Sequence, residues 1–157
     1  MTGVQTCALP ILVADVNAAR AQLVARATGA MAVALRADTV QRALQGRRLR
    51  AAIDATGSIA ALQALMACVS GGASVALVGI SHDTLELDPN VLVERELTLI
   101  GCHAFQDELP EAIALLPACA AVIMLLIDRE ITLDEVPEVY ARLAAGKSTG
   151  LKTLIRM

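Results

Sequence analysis

The 157-residue chain has no tryptophan, one tyrosine and one phenylalanine. Because 56% of its residues are nevertheless hydrophobic, its core must be built of Ala, Val, Leu and Ile, the mixture found where parallel strands are covered by helices. The scarcity of aromatics also removes the stacking platforms that bind single-stranded nucleic acid. A net charge of −3, with Arg47-Arg48-Leu49-Arg50 as the lone basic cluster, removes the electrostatic footprint as well, so no nucleic-acid partner is expected. The four cysteines (Cys7, Cys68, Cys102, Cys119) lie far apart without CxxC or CxxH spacing. That indicates neither a structural zinc site nor a disulfide framework, and they read as small buried thiols in a reducing compartment. The longest apolar run, 113–127, contains Pro117 and falls short of the ~20 residues needed to span a bilayer. The amino terminus lacks the basic start and apolar core of a secretion signal. A soluble, cytoplasmic chain with no membrane partner is the expectation.

What is present is an alternation of short apolar runs and helix signals. Residues 1–10 (MTGVQTCALP) show no periodicity, resemble translated sequencing-adapter sequence, and are expected to be a non-native leader. Ile11 to Ala14 then reads as a buried strand closed by Asp15. Asn17 is a good N-cap for a helix over about 18–28, with Leu23, Val24 and Ala27 as its apolar stripe and Gly29 as its stop. A short run follows at 31–35, then a weaker helix capped by Asp38, then a strand over 49–54 ending in Asp54-Ala55-Thr56-Gly57-Ser58. Ser58 can cap a helix over 59–69 whose Leu62, Leu65, Met66 and Val69 share a face. Strands are expected over 73–78, ending at Gly79, and over 97–101, with a short helix near 91–93 between them. Such alternation marks a parallel sheet with helices on both faces. Beyond residue 105 the rhythm changes: a helix over 108–116, an extended run over 121–126, a helix from Asp134 to Gly146 and a strand over 151–155 are expected.

Three strand ends carry residues that let a ligand approach the backbone: Asp15, Thr56-Gly57-Ser58 and Val78-Gly79-Ile80. In open parallel sheets ligands lie outside the carboxyl ends of strands. In a dinucleotide-binding βαβ unit, the acid closing the second strand accepts both hydroxyls of the adenosine ribose; Asp15 is the candidate, though it can also merely start the next helix. No Gly-x-Gly-x-x-Gly is present, and Gly71-Gly72 precedes a strand instead of following one, so it is a helix stop. Tyr140 has Ala144 four residues on, so no tyrosine-lysine catalytic pair forms, and a packed ring with a surface hydroxyl is expected. Cys102 and His103 are neighbours whose side chains diverge on a strand. No catalytic and no metal-ligating residue is assigned.

From Ile11 onward the chain resembles the medium-chain, zinc-type alcohol dehydrogenases, in their polyol and threonine dehydrogenase-like branch. The resemblance is carried by Val13-Ala14-Asp15 with Arg20, by Ile53-Asp54-Ala55-Thr56-Gly57-Ser58, by Gly71-Gly72 leading to Val78-Gly79-Ile80, and by Arg95 to Gly101. It continues in Ile131 to Pro137 and Gly150 to Ile155. It implies a partial Rossmann domain over 11–105 lacking its first strand, then a return segment of the catalytic domain over 106–157. Asp15 would hold the ribose hydroxyls and favour NAD over NADP, and Arg20 would lie against the adenine side. Thr56 and Gly57 would border the adenosine half, and Val78, Gly79 and Ile80 would offer backbone groups to the nicotinamide half. The backbone at Ala104 and Phe105 would meet the carboxamide, and Lys152 would face the pyrophosphate. The same resemblance implies a catalytic zinc whose ligands lie in an amino-terminal half not in this chain, a small alcohol or polyol substrate, and a homodimer or homotetramer. The chain is therefore expected to be an inactive carboxyl-terminal piece of the enzyme. A fragment of a zinc-independent quinone reductase, disfavoured by Asp15, and a non-catalytic nucleotide-binding or dimerisation module are the alternatives.

Overall fold

The computed structural model describes residues 10–103, 107–146 and 151–157; the leader assigned to 1–10 lies outside them except for Pro10. The chain is α/β, with every strand pairing parallel. It divides into two compact units, Met1–Ala32 with Glu108–Met157, and Val33–Asp107.

In the first unit β1 (Leu12–Val13) and β2 (Met31–Ala32) pair in parallel, Leu12 opposite Met31 and Val13 opposite Ala32. They are joined by α1 (Ala18–Thr28). Asn17 caps this helix as expected: its backbone is extended, and its side chain accepts from the amides of Ala19 at 3.0 Å and Arg20 at 3.3 Å, satisfying donors the first turn leaves orphaned. Gly29, at φ 75°, closes it, in the left-handed conformation that glycine adopts without strain. The buried positions are Ala21 and Ala25, one turn apart, and not the expected Leu23, Val24 and Ala27, which are half-buried. Small side chains at these positions suit close packing, and α1 packs against β2 and against the next helix of this unit.

That next helix, α5 (Leu109–Leu126), corrects two expectations. It runs through Pro117, although proline removes a hydrogen bond there, and it absorbs the run at 121–126 expected to be extended. Val122 and Ile123 favour strands, but they are flanked by Ala118, Ala120, Ala121, Met124, Leu125 and Leu126, which are strong helix formers. At 18 residues with a mean hydropathy of 2.2, none of it buried, α5 is long and apolar enough by length and composition to cross a membrane. The strand follows instead at β6 (Ile127–Thr132), which pairs with β7 (Lys152–Arg156), Ile131 opposite Ile155. Between them lies α6 (Val136–Ala144), entered through a 3-10 turn, Leu133–Glu135. Its entry is organised by Thr132 and Glu135 and not by Asp134: the Thr132 amide and hydroxyl donate to the Glu135 carboxylate at 2.8 and 2.9 Å. Ile131 of β6 and Val139 of α6 are buried, whereas Tyr140 is 70% exposed and not packed.

The second unit holds α2 (Ala37–Leu44), β3 (Ala51–Asp54), α3 (Ile59–Cys68), β4 (Ser74–Leu77), α4 (Pro89–Glu94) and β5 (Thr98–Gly101). Asp38 lies inside the first turn of α2, with Arg36 at the cap position, and pairs with Arg36 and Arg42. Ser58 caps α3 as expected, accepting from the Ala61 amide. The sheet order is β3-β4-β5, with Ala52, Val75 and Leu99 forming one cross-strand row and Ile53, Ala76 and Ile100 the next. Alternation sends the first row to one face, where Leu62, Met66, Val69, Ala73, Val75 and Leu97 form the core. The second row faces the other way, and there Ile53 is 73% exposed. The carboxyl end of α3 is closed by two arginines: Arg95 donates to the Met66 and Val69 carbonyls, and Arg48 donates to the Gly71 carbonyl at 2.7 Å.

Candidate functional site

The turn after β3 is built by a single carboxylate. Asp54, 6% exposed, is the one charged residue buried among the described residues. Its Oδ1 accepts from the Thr56 amide at 3.0 Å and from the Thr56 hydroxyl at 2.7 Å. The same hydroxyl oxygen accepts from the Ser58 amide at 3.1 Å, so the main-chain amides of Thr56 and Ser58 are both paired where the turn hands over to the amino terminus of α3. The Asp54 carbonyl in turn accepts from the Val78 amide at 2.8 Å and the Gly79 amide at 3.0 Å. One residue thus anchors both turns, the first by its side chain and the second by its main chain.

These turns touch where both residues lack a side chain. Gly57 has φ 65°, and a Cβ there would overlap the Ile80 carbonyl oxygen. A Cβ on Gly79 would overlap the Gly57 nitrogen and come within 2.8 Å of the Thr56 nitrogen. Glycine is therefore required twice, once for its backbone conformation and twice over for close approach. Of the residues singled out in the sequence, Thr56, Gly57, Val78, Gly79 and Ile80 are brought together at the carboxyl ends of β3 and β4, with Val78 and Ile80 exposed. Asp54 was passed over; its signal was the Asp-x-Thr spacing at a strand end, the pattern of a side chain bonding the backbone two residues on.

Asp15 and Arg20 belong to the first unit. Asp15 is exposed just beyond β1, and its Oδ1 accepts from the Asn17 amide at 2.7 Å, so the carboxylate also shapes the entry to α1. Arg20 sits in that helix's first turn, half-buried. Lys152 opens β7, exposed, opposite Ile127. Ala104 and Phe105 lie outside the described residues. Cys68 is buried, which pushes its thiol pKa up, helped by the charge of Asp38. Cys102 and Cys119, expected to be buried, are exposed. Among the described residues no three His, Cys, Asp or Glu side chains converge as a metal site would need.

Residues 6–118 match the model of the family described as zinc-binding dehydrogenase. The chain belongs to the zinc-binding dehydrogenase family. No curated protein sequence matches it. Among solved structures with the same fold, 2R,3R-butanediol dehydrogenase from Bacillus subtilis superposes with a TM-score of 0.75 at 22% identity, over 94% of this chain and 44% of that one. A short chain alcohol dehydrogenase from Escherichia coli, complexed with NADH, gives a TM-score of 0.78 at 18% identity over 94% and 44%. A protein from Sinorhizobium meliloti described as a zinc-binding dehydrogenase and bound to NADP gives 0.79 at 22% over 94% and 45%. The chain thus spans less than half the length of these solved structures.

Proposed function

We propose that this chain forms the cofactor-binding part of an NAD-dependent, zinc-type dehydrogenase that oxidises a small alcohol or polyol. The observation that carries the reading is the contact of Gly57 with Gly79. It nests two side-chain-poor turns at the carboxyl ends of adjacent parallel strands, where ligands of open parallel sheets lie. The residues suit a dinucleotide. Asp15 offers an exposed carboxylate to the adenosine ribose hydroxyls and repels the 2′-phosphate of NADP. Arg20 lies toward the adenine, Thr56 and Gly57 border the adenosine half, and Lys152 supplies positive charge toward the pyrophosphate. Val78, Gly79 and Ile80 present backbone groups to the nicotinamide half, and Ala104 and Phe105 the carboxamide contact. When bound, NAD supplies the hydride acceptor. The described residues do not fit a zinc ion, so its ligands are assigned to the rest of the enzyme and no step is derived through it.

On this reading residues 11–105 are the partial dinucleotide domain and 106–157 the return segment of the catalytic domain. The working enzyme is a cytoplasmic homodimer or homotetramer, and the isolated chain does not catalyse hydride transfer. Family membership supports reading α5 as a helix of a soluble enzyme despite its length. The test is to titrate the purified chain with NAD and NADP, following backbone amide shifts. Saturable NAD binding that moves Thr56, Gly57 and Val78 to Ile80, and is tighter than NADP binding, supports the reading. Failure to bind NAD, or a preference for NADP, overturns it.

A further inference from the structure

We infer that Asp54 is a positioning residue for nucleotide binding, acting through the Thr56 hydroxyl and never touching the ligand itself; this rests on the NAD reading above. The Thr56 hydroxyl donates its only proton to Asp54 and accepts from the Ser58 amide. A hydroxyl has one donor and two acceptor lone pairs, so the group left to a ligand is a single lone pair, held in a fixed direction. Asp54 thereby makes Thr56 an acceptor only, matched to a donor on the ligand such as a ribose hydroxyl or an adenine amino group, and mismatched to a phosphate oxygen. A carboxylate is suited to this task because it cannot donate back and force the hydroxyl to turn round. Its burial keeps water from competing for the same proton, and hydrogen bonds to a charged group are roughly twice as strong as neutral ones.

The neighbouring turn is held by the same residue through a different group. Because the Val78 and Gly79 amides bond the Asp54 carbonyl, replacing the side chain leaves those bonds in place. Loss of the carboxylate therefore loosens the hold on the Thr56 hydroxyl while the second turn keeps its anchor.

The experiment compares wild type, T56V, T56S, D54N and the double variant D54N/T56V of this chain, with NAD affinity from amide-shift titration and melting temperature measured on each. T56V removes the hydroxyl and should weaken NAD about tenfold, the effect of one such hydrogen bond, whereas T56S should restore binding to within about threefold. D54N keeps an oxygen acceptor but adds a competing amide donor, so it should also weaken NAD several-fold, and the double variant should be no weaker than T56V. T56S rescue together with that non-additivity separates positioning from general stabilisation, which would track melting temperature instead. Wild-type chain that binds NAD while T56V binds equally well, or losses in D54N and T56V that simply add, overturn this inference and leave the NAD reading standing. Wild-type chain that binds no NAD overturns both.

Discussion

The main chains of Gly57 and Gly79 pack directly against each other, so that a methyl group on Gly79 would lie only 2.2 Å from the Gly57 nitrogen. The contact joins the ends of β3 and β4 without any side chain, and neighbouring backbone leaves no room to adjust. Gly57→Ala adds left-handed strain to a clash with the Ile80 carbonyl and should destabilise the second unit by about 2–4 kcal/mol. Gly79→Ala should cost a similar amount through the clash alone. Gly101, which ends β5 with open space where its Cβ would go, is the control. Gly101→Ala should stay within about 0.5 kcal/mol, and chemical denaturation of the three variants checks the contrast.

Asp15→Asn separates charge from turn geometry. The amide oxygen still accepts from the Asn17 amide, so α1 keeps its entry, while the charge that would repel a 2′-phosphate is gone. The preference for NAD over NADP should fall by about tenfold or more, as read by parallel titrations. An unchanged preference would remove Asp15 from the ribose.

The core of the second unit predicts a plain loss of stability. Leu62 is buried among Met66, Val69, Val75 and Leu97, and Leu62→Ala leaves a cavity there. A cost of about 2–4 kcal/mol is expected from transfer and cavity terms together. Thermal unfolding followed by circular dichroism measures it.

Acid should loosen the entry to α6. The Thr132 amide and hydroxyl hold the Glu135 carboxyl below its usual pKa. A carboxylate whose folded pKa is depressed contributes stability that is fully present above its unfolded pKa and lost as the pH falls through the folded value. The Thr132 amide shift should therefore titrate at lower pH than Glu135 does in an unfolded peptide of the same sequence, and Glu135→Gln should abolish that transition. A Thr132 shift that follows the peptide midpoint would show the capping box to be absent in solution.

Local chemistry made much of this legible before any coordinates. Asn17 and Gly29 bound α1 at the expected residues because a cap and a left-handed stop are settled within four positions of chain. Ser58 does the same for α3, and the spacing of Leu62, Met66 and Val69 announced its buried face. The strand ends at Gly57 and Gly79 were visible for the same reason, since few residues besides glycine serve there. The misplacements are equally instructive. Asp38 and Asp134 resemble caps locally, yet Arg36 and Arg42 claim the first, and Thr132 with Glu135 displaces the second.

From its own order of residues, the chain determined the alternation of strand and helix, the small-aliphatic core and the places where backbone would have to come close. Tertiary structure decided what those places do: that α5 continues through Pro117, that the strands among the described residues fall into three sheets, and that Asp54 is enclosed while Cys102 and Cys119 are not. The division has a physical basis. Dihedral preferences and capping bonds act within one turn of chain, whereas burial and strand pairing depend on partners that the intervening residues bring together, as they bring Gly79 onto Gly57.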